Sequence, residues 1–150
     1  MEKHNSEIQL ITFKLGENVY AVDVRHVREV VSLRKIVKLP RAPPYIEGIM
    51  NLRGRIVTLV NLASYLGVDG YGDPSETNKG KVLIFTLDNN RDLGFIVDHV
   101  LGVLRVKRSS IEKPASATDP SLEGVIKTDD GGIIIVLNIP HLVKELNLMN

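Results

Sequence analysis

Chemistry begins with titratable or nucleophilic side chains at workable spacing, and the four histidines are the first place to look: His4, His26, His99 and His141. No histidine is expected to have a metal-ligand partner, histidine or carboxylate, one helical turn away in the manner of H-x-x-x-H. His4 falls in the polar amino-terminal stretch. The paired acids of "DNNRD" (88–92) and "TDDGG" (128–132) sit where a chain reverses between strands, and Asx-Gly pairs there are hairpin chemistry before they are metal chemistry. No serine stands in G-x-S-x-G. "GVDGYGDP" and "NKGK" fail the G-x-x-x-x-G-K-[ST] order, and no strand leads from them into a phosphate-binding helix. The chain has no cysteine, which removes disulfides, thiolate metal sites and a cysteine nucleophile. The expectation is a protein that is not an enzyme, with no cofactor and no metal.

What remains is a recognition feature. In "IEGIMNLRGRIVTLVNL" (46–62) a Gly-, Asn- and Arg-bearing turn separates two apolar runs. Arg53 and Arg55 could simply be solvated. A rigid turn would instead present a guanidinium fork whose planar donors match carboxylates and carbonyls.

The elements that position this turn follow from periodicity. Residues 8–15 alternate with period two, and a second strand is expected over 19–24. Val24, Val27 and Val31 fall at helical spacing opposite Arg25, Arg28, Glu29 and Ser32, which predicts a short amphipathic helix. A short strand "IVKL" (36–39) precedes the proline-rich loop "PRAPP". Strands are expected over 46–52 and 55–61, with Gly48 marking a bulge or close backbone approach. Asn61 is placed to cap a helix over "LASYL", ended by Gly67. Residues 67–81 read as a polar connector. The second half repeats the plan: strands at "KVLIFTL", 93–97, "DHVLGVLRV", "EGVIKT" and 133–137, then a helix capped by Asn138 with Pro140 in its first turn and Leu142, Val143 and Leu146 as its apolar stripe.

Residue identities repeat as well. With one insertion, Phe13 aligns with Phe85, Leu15 with Leu87, Val24 with Val97, His26 with His99, Val27 with Val100 and Val30 with Val103. Glu47, Gly48 and Asn61 align with Glu123, Gly124 and Asn138. Each copy spans roughly 75 residues, longer than the usual solenoid repeat. Two similar five-strand units predict two small barrels, since closure removes aggregation-prone edges. The seam between them is the expected place for a groove.

Composition narrows the partners. Hydrophobic residues are 43% and charged residues 25%, with net charge +1, an ordinary globular balance with no field to gather nucleic acid or an anionic membrane. A single-strand nucleic-acid-binding barrel is the rival reading from another class. Such sites stack bases on aromatics over a basic groove, whereas aromatics here are 5% with no tryptophan. The apolar runs fall well short of the roughly 18 residues needed to cross a bilayer, and no secretory h-region is visible. A cytoplasmic protein without membrane insertion is expected.

Along nearly its whole length the sequence resembles the CheW family of chemotaxis coupling proteins. The resemblance rests on "ITFKLGENVYAVDVRHVREVV", "PYIEGIMNLRGRIVTLVNLASYLG", "LGFIVDHVLGVLRV" and "LEGVIKTDDGGIIIVLNIPHLV", and most specifically on EG-x-x-NLRG followed by GF-x-VD-x-V-x-GV. It implies an all-β fold of two intertwined SH3-like five-stranded β-barrels, the copies falling near 13–67 and 82–143, with short helices and a carboxy-terminal helix. It implies a non-catalytic adaptor at the inner face of receptor arrays, in chemotaxis or in another sensory or motility pathway. The implied partners are the cytoplasmic helical-hairpin tip of a chemoreceptor and the regulatory domain of the histidine kinase CheA. By motif position the receptor-facing candidates are Val27, Glu29, Gly48, Asn51 and Arg53. The kinase-facing candidates are Asp98, His99, Val100 and Gly102.

Overall fold

The computed structural model describes residues 6–68, 80–87, 90–116 and 118–148. The expected connector thus falls mostly outside the described residues, as do residues 88 and 89 of "DNNRD". The ten strands are β1 (Glu7–Leu15), β2 (Asn18–Asp23), β3 (Glu29–Ser32), β4 (Ile46–Leu52), β5 (Arg55–Asn61), β6 (Lys81–Thr86), β7 (Asp92–Val97), β8 (His99–Lys107), β9 (Leu122–Lys127) and β10 (Ile133–Leu137). The described residues also hold two α-helices, α1 (Leu62–Leu66) and α2 (Ile139–Leu148).

The strands form two five-stranded sheets with one plan. Their orders are β8-β1-β2-β10-β9 and β3-β6-β7-β5-β4. The strand pair β1–β2 fills in one sheet the places that β6–β7 fills in the other. In each sheet an antiparallel hairpin, β9–β10 or β4–β5, joins by a parallel ladder to a strand from the other half of the sequence, β10 to β2 and β5 to β7. This is the intertwining that the resemblance implied. One compact unit accordingly comprises the described residues within 6–13, 18–26 and 101–148, and the other those within 14–17 and 27–100. Each has its own apolar core. Leu10, Ala21, Ile126 and Val136 belong to the first. Leu33, Met50, Leu52, Val57, Leu59, Val82, Ile84 and Ile96 form the second.

The repeat reaches atomic detail. Phe13 and Phe85 are both buried, on β1 and β6. Asn61 Oδ1 accepts from the Ser64 amide at 3.1 Å and Asn138 Oδ1 from the His141 amide at 3.1 Å, so both helices carry the expected cap. Gly67, in the left-handed region, ends α1. Leu142 and Leu146 are buried on α2. The equivalence fails from Val24 on: Val97 is buried, but Val24 opens a 3-10 turn and is only half-buried, and His26 closes that turn whereas His99 opens β8.

Two expectations are corrected. The helix over 24–32 is replaced by a 3-10 turn, Val24–His26, followed by strand β3. A helix this short is marginal alone, the β-branched pair Val30–Val31 favours extended backbone, and β6 offers a complete antiparallel ladder from Glu29↔Ile84 to Ser32↔Lys81. The strand expected at 36–39 shrinks to one bridge. Val37 and Ile49 exchange two hydrogen bonds of 2.8 Å, and the prolines beyond withhold further amides.

That bridge explains Gly48. Its φ is +146° and a Cβ there would lie 2.3 Å from the Val37 carbonyl oxygen. Gly124, φ +159°, would put a Cβ 2.8 Å from the carbonyl oxygen of Glu112, which bridges Val125 in the same way. In both places a crossing segment rests directly on the glycine backbone. Gly48→Ala and Gly124→Ala should each lower unfolding free energy by roughly 2 kcal/mol through steric overlap and backbone strain. Urea denaturation checks this; midpoints unchanged from the parent protein would refute the close-approach account.

Candidate functional site

The turn between β4 and β5 is a two-residue loop, since Leu52 pairs with Arg55. Arg53 has φ +51° and Gly54 +87°. Two left-handed residues in succession make a type I′ hairpin, whose twist suits the flanking strands. Glycine adopts that region freely, whereas arginine does so at about 1 kcal/mol. Asn51 secures the turn by accepting from the Gly54 amide at 2.9 Å.

The turn carries Arg53 to Glu29, at the start of β3. Arg53 Nη2 donates to both Glu29 carboxylate oxygens, at 2.6 and 2.7 Å. Arg53 remains 62% exposed while Glu29 is 28% exposed. The Arg53 hydrogen bond is the largest cause holding the Glu29 carboxyl below its ordinary range. Arg28 Nη2 lies 3.3 Å from the same carboxylate.

Behind this pair sits a carboxylate taken out of water. The Asp92 side chain, at the first position of β7, is 1% exposed. Arg55 Nε and Nη2 donate to its two oxygens at 2.7 and 2.9 Å. Arg28 Nη1 donates at 2.7 Å and Thr86 Oγ1 at 3.2 Å. Arg28 also donates to Thr86 Oγ1 at 2.8 Å, and Arg55 to the Asn90 carbonyl at 3.1 Å. The Arg55 hydrogen bond leads the causes that bring Asp92 from 3.8 to about 2, against the opposing effect of burial. Buried charge is tolerated only when paired and hydrogen-bonded in this way. Two salt-bridged steps thus run from the interior of the sheet to its surface, Asp92 to Arg28 and Glu29 to Arg53.

The structure brings Glu29, Asn51 and Arg53 together, with Val27 half-buried two residues before Glu29. Gly48 is buried within β4. The second set opens β8. Asp98 Oδ2 accepts from the Gly16 amide at 2.8 Å, His99 is exposed and Val100 half-buried. The Gly102 carbonyl accepts from Thr12 Oγ1 at 3.2 Å. Leu101 and Val103, on the outer side of this edge strand, are 54% and 63% exposed.

Sequence reasoning missed Asp92, Arg28 and Thr86 as site residues, and the exposed apolar side chains of Val30 and Ile56, next in sequence to Glu29 and Arg55. A signal for Asp92 existed: a lone carboxylate heads the otherwise apolar strand "DLGFIV", where it requires a cationic partner. The expectation for histidine also needs correction, since His141 has Glu145 one turn on, with Nε2 3.5 Å from Oε2. Among the described residues no group of three histidine, aspartate or glutamate side chains is placed to hold a metal ion. Nor is any described helix long and apolar enough to cross a membrane.

Two five-stranded sheets of intertwined strands with few helices define an all-β protein of the SH3-like class. Residues 9–147 match the family model described as CheW-like domain, and the chain belongs to that family. It is 32% identical to the chemotaxis protein CheW of Thermotoga maritima, over 95% of this chain and 91% of that one. It is 28% identical to the chemotaxis protein CheW of Treponema pallidum, over 99% and 89%. Among solved structures it is similar to the scaffolding protein TtCheW from Thermoanaerobacter tengcongensis, with TM-score 0.76, 33% identity and coverage of 93% and 89%.

The depressed Asp92 carboxyl predicts an acid response. A group whose folded pKa lies below its unfolded value stabilises the protein above the unfolded value, and that stability is lost as pH falls through the folded one. Here the window runs from about 4 down to about 2. Unfolding free energy measured by denaturant titration should fall across it, and more shallowly in Asp92→Asn. Parallel pH profiles for parent and variant would contradict the pairing.

Proposed function

We propose that this chain is a non-catalytic adaptor of chemotaxis signalling that couples the cytoplasmic helical-hairpin tips of chemoreceptors to the regulatory domain of the histidine kinase CheA, working in the cytoplasm at the inner face of receptor arrays. Family membership and a relative matched over 95% of this chain and 91% of its own length support the adaptor role. The observation that carries the receptor assignment is the Arg53–Glu29 pair, held on a rigid turn yet open to solvent on its arginine side. A receptor tip is a helix pair, and such helices bind through apolar anchors with polar contacts at the rim. Val27, Val30 and Ile56 supply apolar surface, while Arg53, Glu29 and Asn51 supply the polar contacts. Gly48 contributes by letting the Ile36–Val37 segment lie close against β4.

The kinase-facing surface is assigned to the opening of β8. Asp98 fixes its backbone through the Gly16 amide, and His99, Val100 and Gly102 stand beside the exposed Leu101 and Val103. An unpaired edge with apolar side chains is suited to another β-rich domain. Two separate surfaces allow one adaptor to hold two partners, and many weak contacts acting together hold an array.

Arg53→Ala separates contact from scaffolding. It should weaken binding to a receptor cytoplasmic fragment by about 1–2 kcal/mol, the range of a moderate interface anchor. It should leave kinase-domain affinity unchanged and alter stability by less than about 0.5 kcal/mol. A lowered melting temperature with both affinities reduced would make Arg53 structural. Unchanged receptor affinity in a well-folded variant would remove it from the interface.

A further inference from the structure

We propose that Asp92 is the positioning residue of the Arg53–Glu29 pair: it touches no partner, but it fixes which guanidinium group the Glu29 carboxylate selects. The inference rests on the receptor assignment above only for its functional consequence.

Three arginines, Arg28, Arg53 and Arg55, converge on two carboxylates, Glu29 and Asp92. Pairing in such a cluster is a competition. Arg28 reaches both acids, at 2.7 Å from Asp92 and 3.3 Å from Glu29. Arg28 holds both acids at once, Nη1 on Asp92 and Nη2 on Glu29, and Asp92 takes the shorter contact, because its carboxylate is shielded from water and electrostatic attraction strengthens as the local dielectric falls. Asp92 also takes both donors of the Arg55 fork, so Arg55 is held on the β7 side. Glu29 is then left to accept both of its short bonds from Arg53.

Without the Asp92 charge, Arg28 and Arg55 lose their strongest acceptor. Arg28, already adjacent, turns to Glu29 and displaces Arg53. Arg53 then keeps its backbone turn but loses its side-chain orientation. A preorganised arginine gives up less freedom on binding than a loose one, so receptor affinity falls although no contacting atom has changed.

The test uses Asp92→Asn, close to isosteric, in the full chain. The first readout is the order of the Arg53 Nε–H bond by nitrogen-15 relaxation, which needs no partner. It should drop sharply in the variant, while backbone amides of β4 and β5 keep their order. Arg53 Nε staying as ordered as in the parent would overturn the proposal. The second readout is affinity for a receptor cytoplasmic fragment, expected to fall about fivefold, with no further loss when Asp92→Asn is added to Arg53→Ala, as required of coupled sites. Losses that simply add would also overturn it, because Asp92 would then act through something other than Arg53. Loosening of Arg53 with receptor affinity unchanged would uphold the positioning role and refute the receptor assignment. Should Asp92→Asn not fold, Arg55→Met in the same two measurements tests the same competition: released from Arg55, Asp92 should hold Arg28 alone and Arg53 should stay ordered, and loss of Arg53 order there would overturn the proposal.

Discussion

The parallel pairing of β5 with β7 is the constraint on which the proposed receptor surface depends. Its register, Val57↔Asp92 through Asn61↔Ile96, sets a carboxylate from one half of the sequence beside Arg55 from the other. Parallel strands need a long crossover, and here residues thirty-five apart in sequence are joined across the ladder. A one-residue slip would turn Asp92 to the opposite face of the sheet and leave Arg28 and Arg55 without their acceptor. Strand register thereby sets the buried ion pairing.

The Arg53–Glu29 pair also starts from two constrained stretches of backbone. Surface salt bridges contribute little on their own, because two long side chains must be held in one geometry. Arg53 and Glu29 escape part of that cost. Arg53 springs from a type I′ turn that Asn51 pins, and Glu29 from a strand end laddered to Ile84. An adaptor needs this economy, since its contacts must be specific while each stays weak enough to exchange.

Much of the fold was legible in the sequence because its cues are local. Alternation marked the strands, Asn61 and Asn138 marked the caps, and Gly48, which the repeat aligned with Gly124, marked a position where backbone meets backbone. The repeat was visible because both copies face the same requirement, a crossing segment seated on a glycine. What escaped was non-local. The segment 24–32 carries valines that satisfy a helical period and an extended one equally, and only the availability of β6 decides between them. Asp92 looked like the end of a polar turn; its burial is a property of the β5 and β6 neighbours it acquires on folding. Arg53 and Arg55 looked alike in sequence, yet Arg55 faces a buried carboxylate and Arg53 a half-buried one.

The central claim is that one surface, built from the β4–β5 turn and the start of β3, meets the receptor while the opening of β8 meets the kinase. Amide chemical-shift mapping on the isotopically labelled protein tests this most directly. A receptor cytoplasmic fragment should perturb residues 27–30 and 51–56 and leave 98–103 in place, and subsequent addition of the kinase regulatory domain should perturb 98–103. Receptor-induced shifts concentrated on β8, with the β4–β5 turn unmoved, would contradict the account.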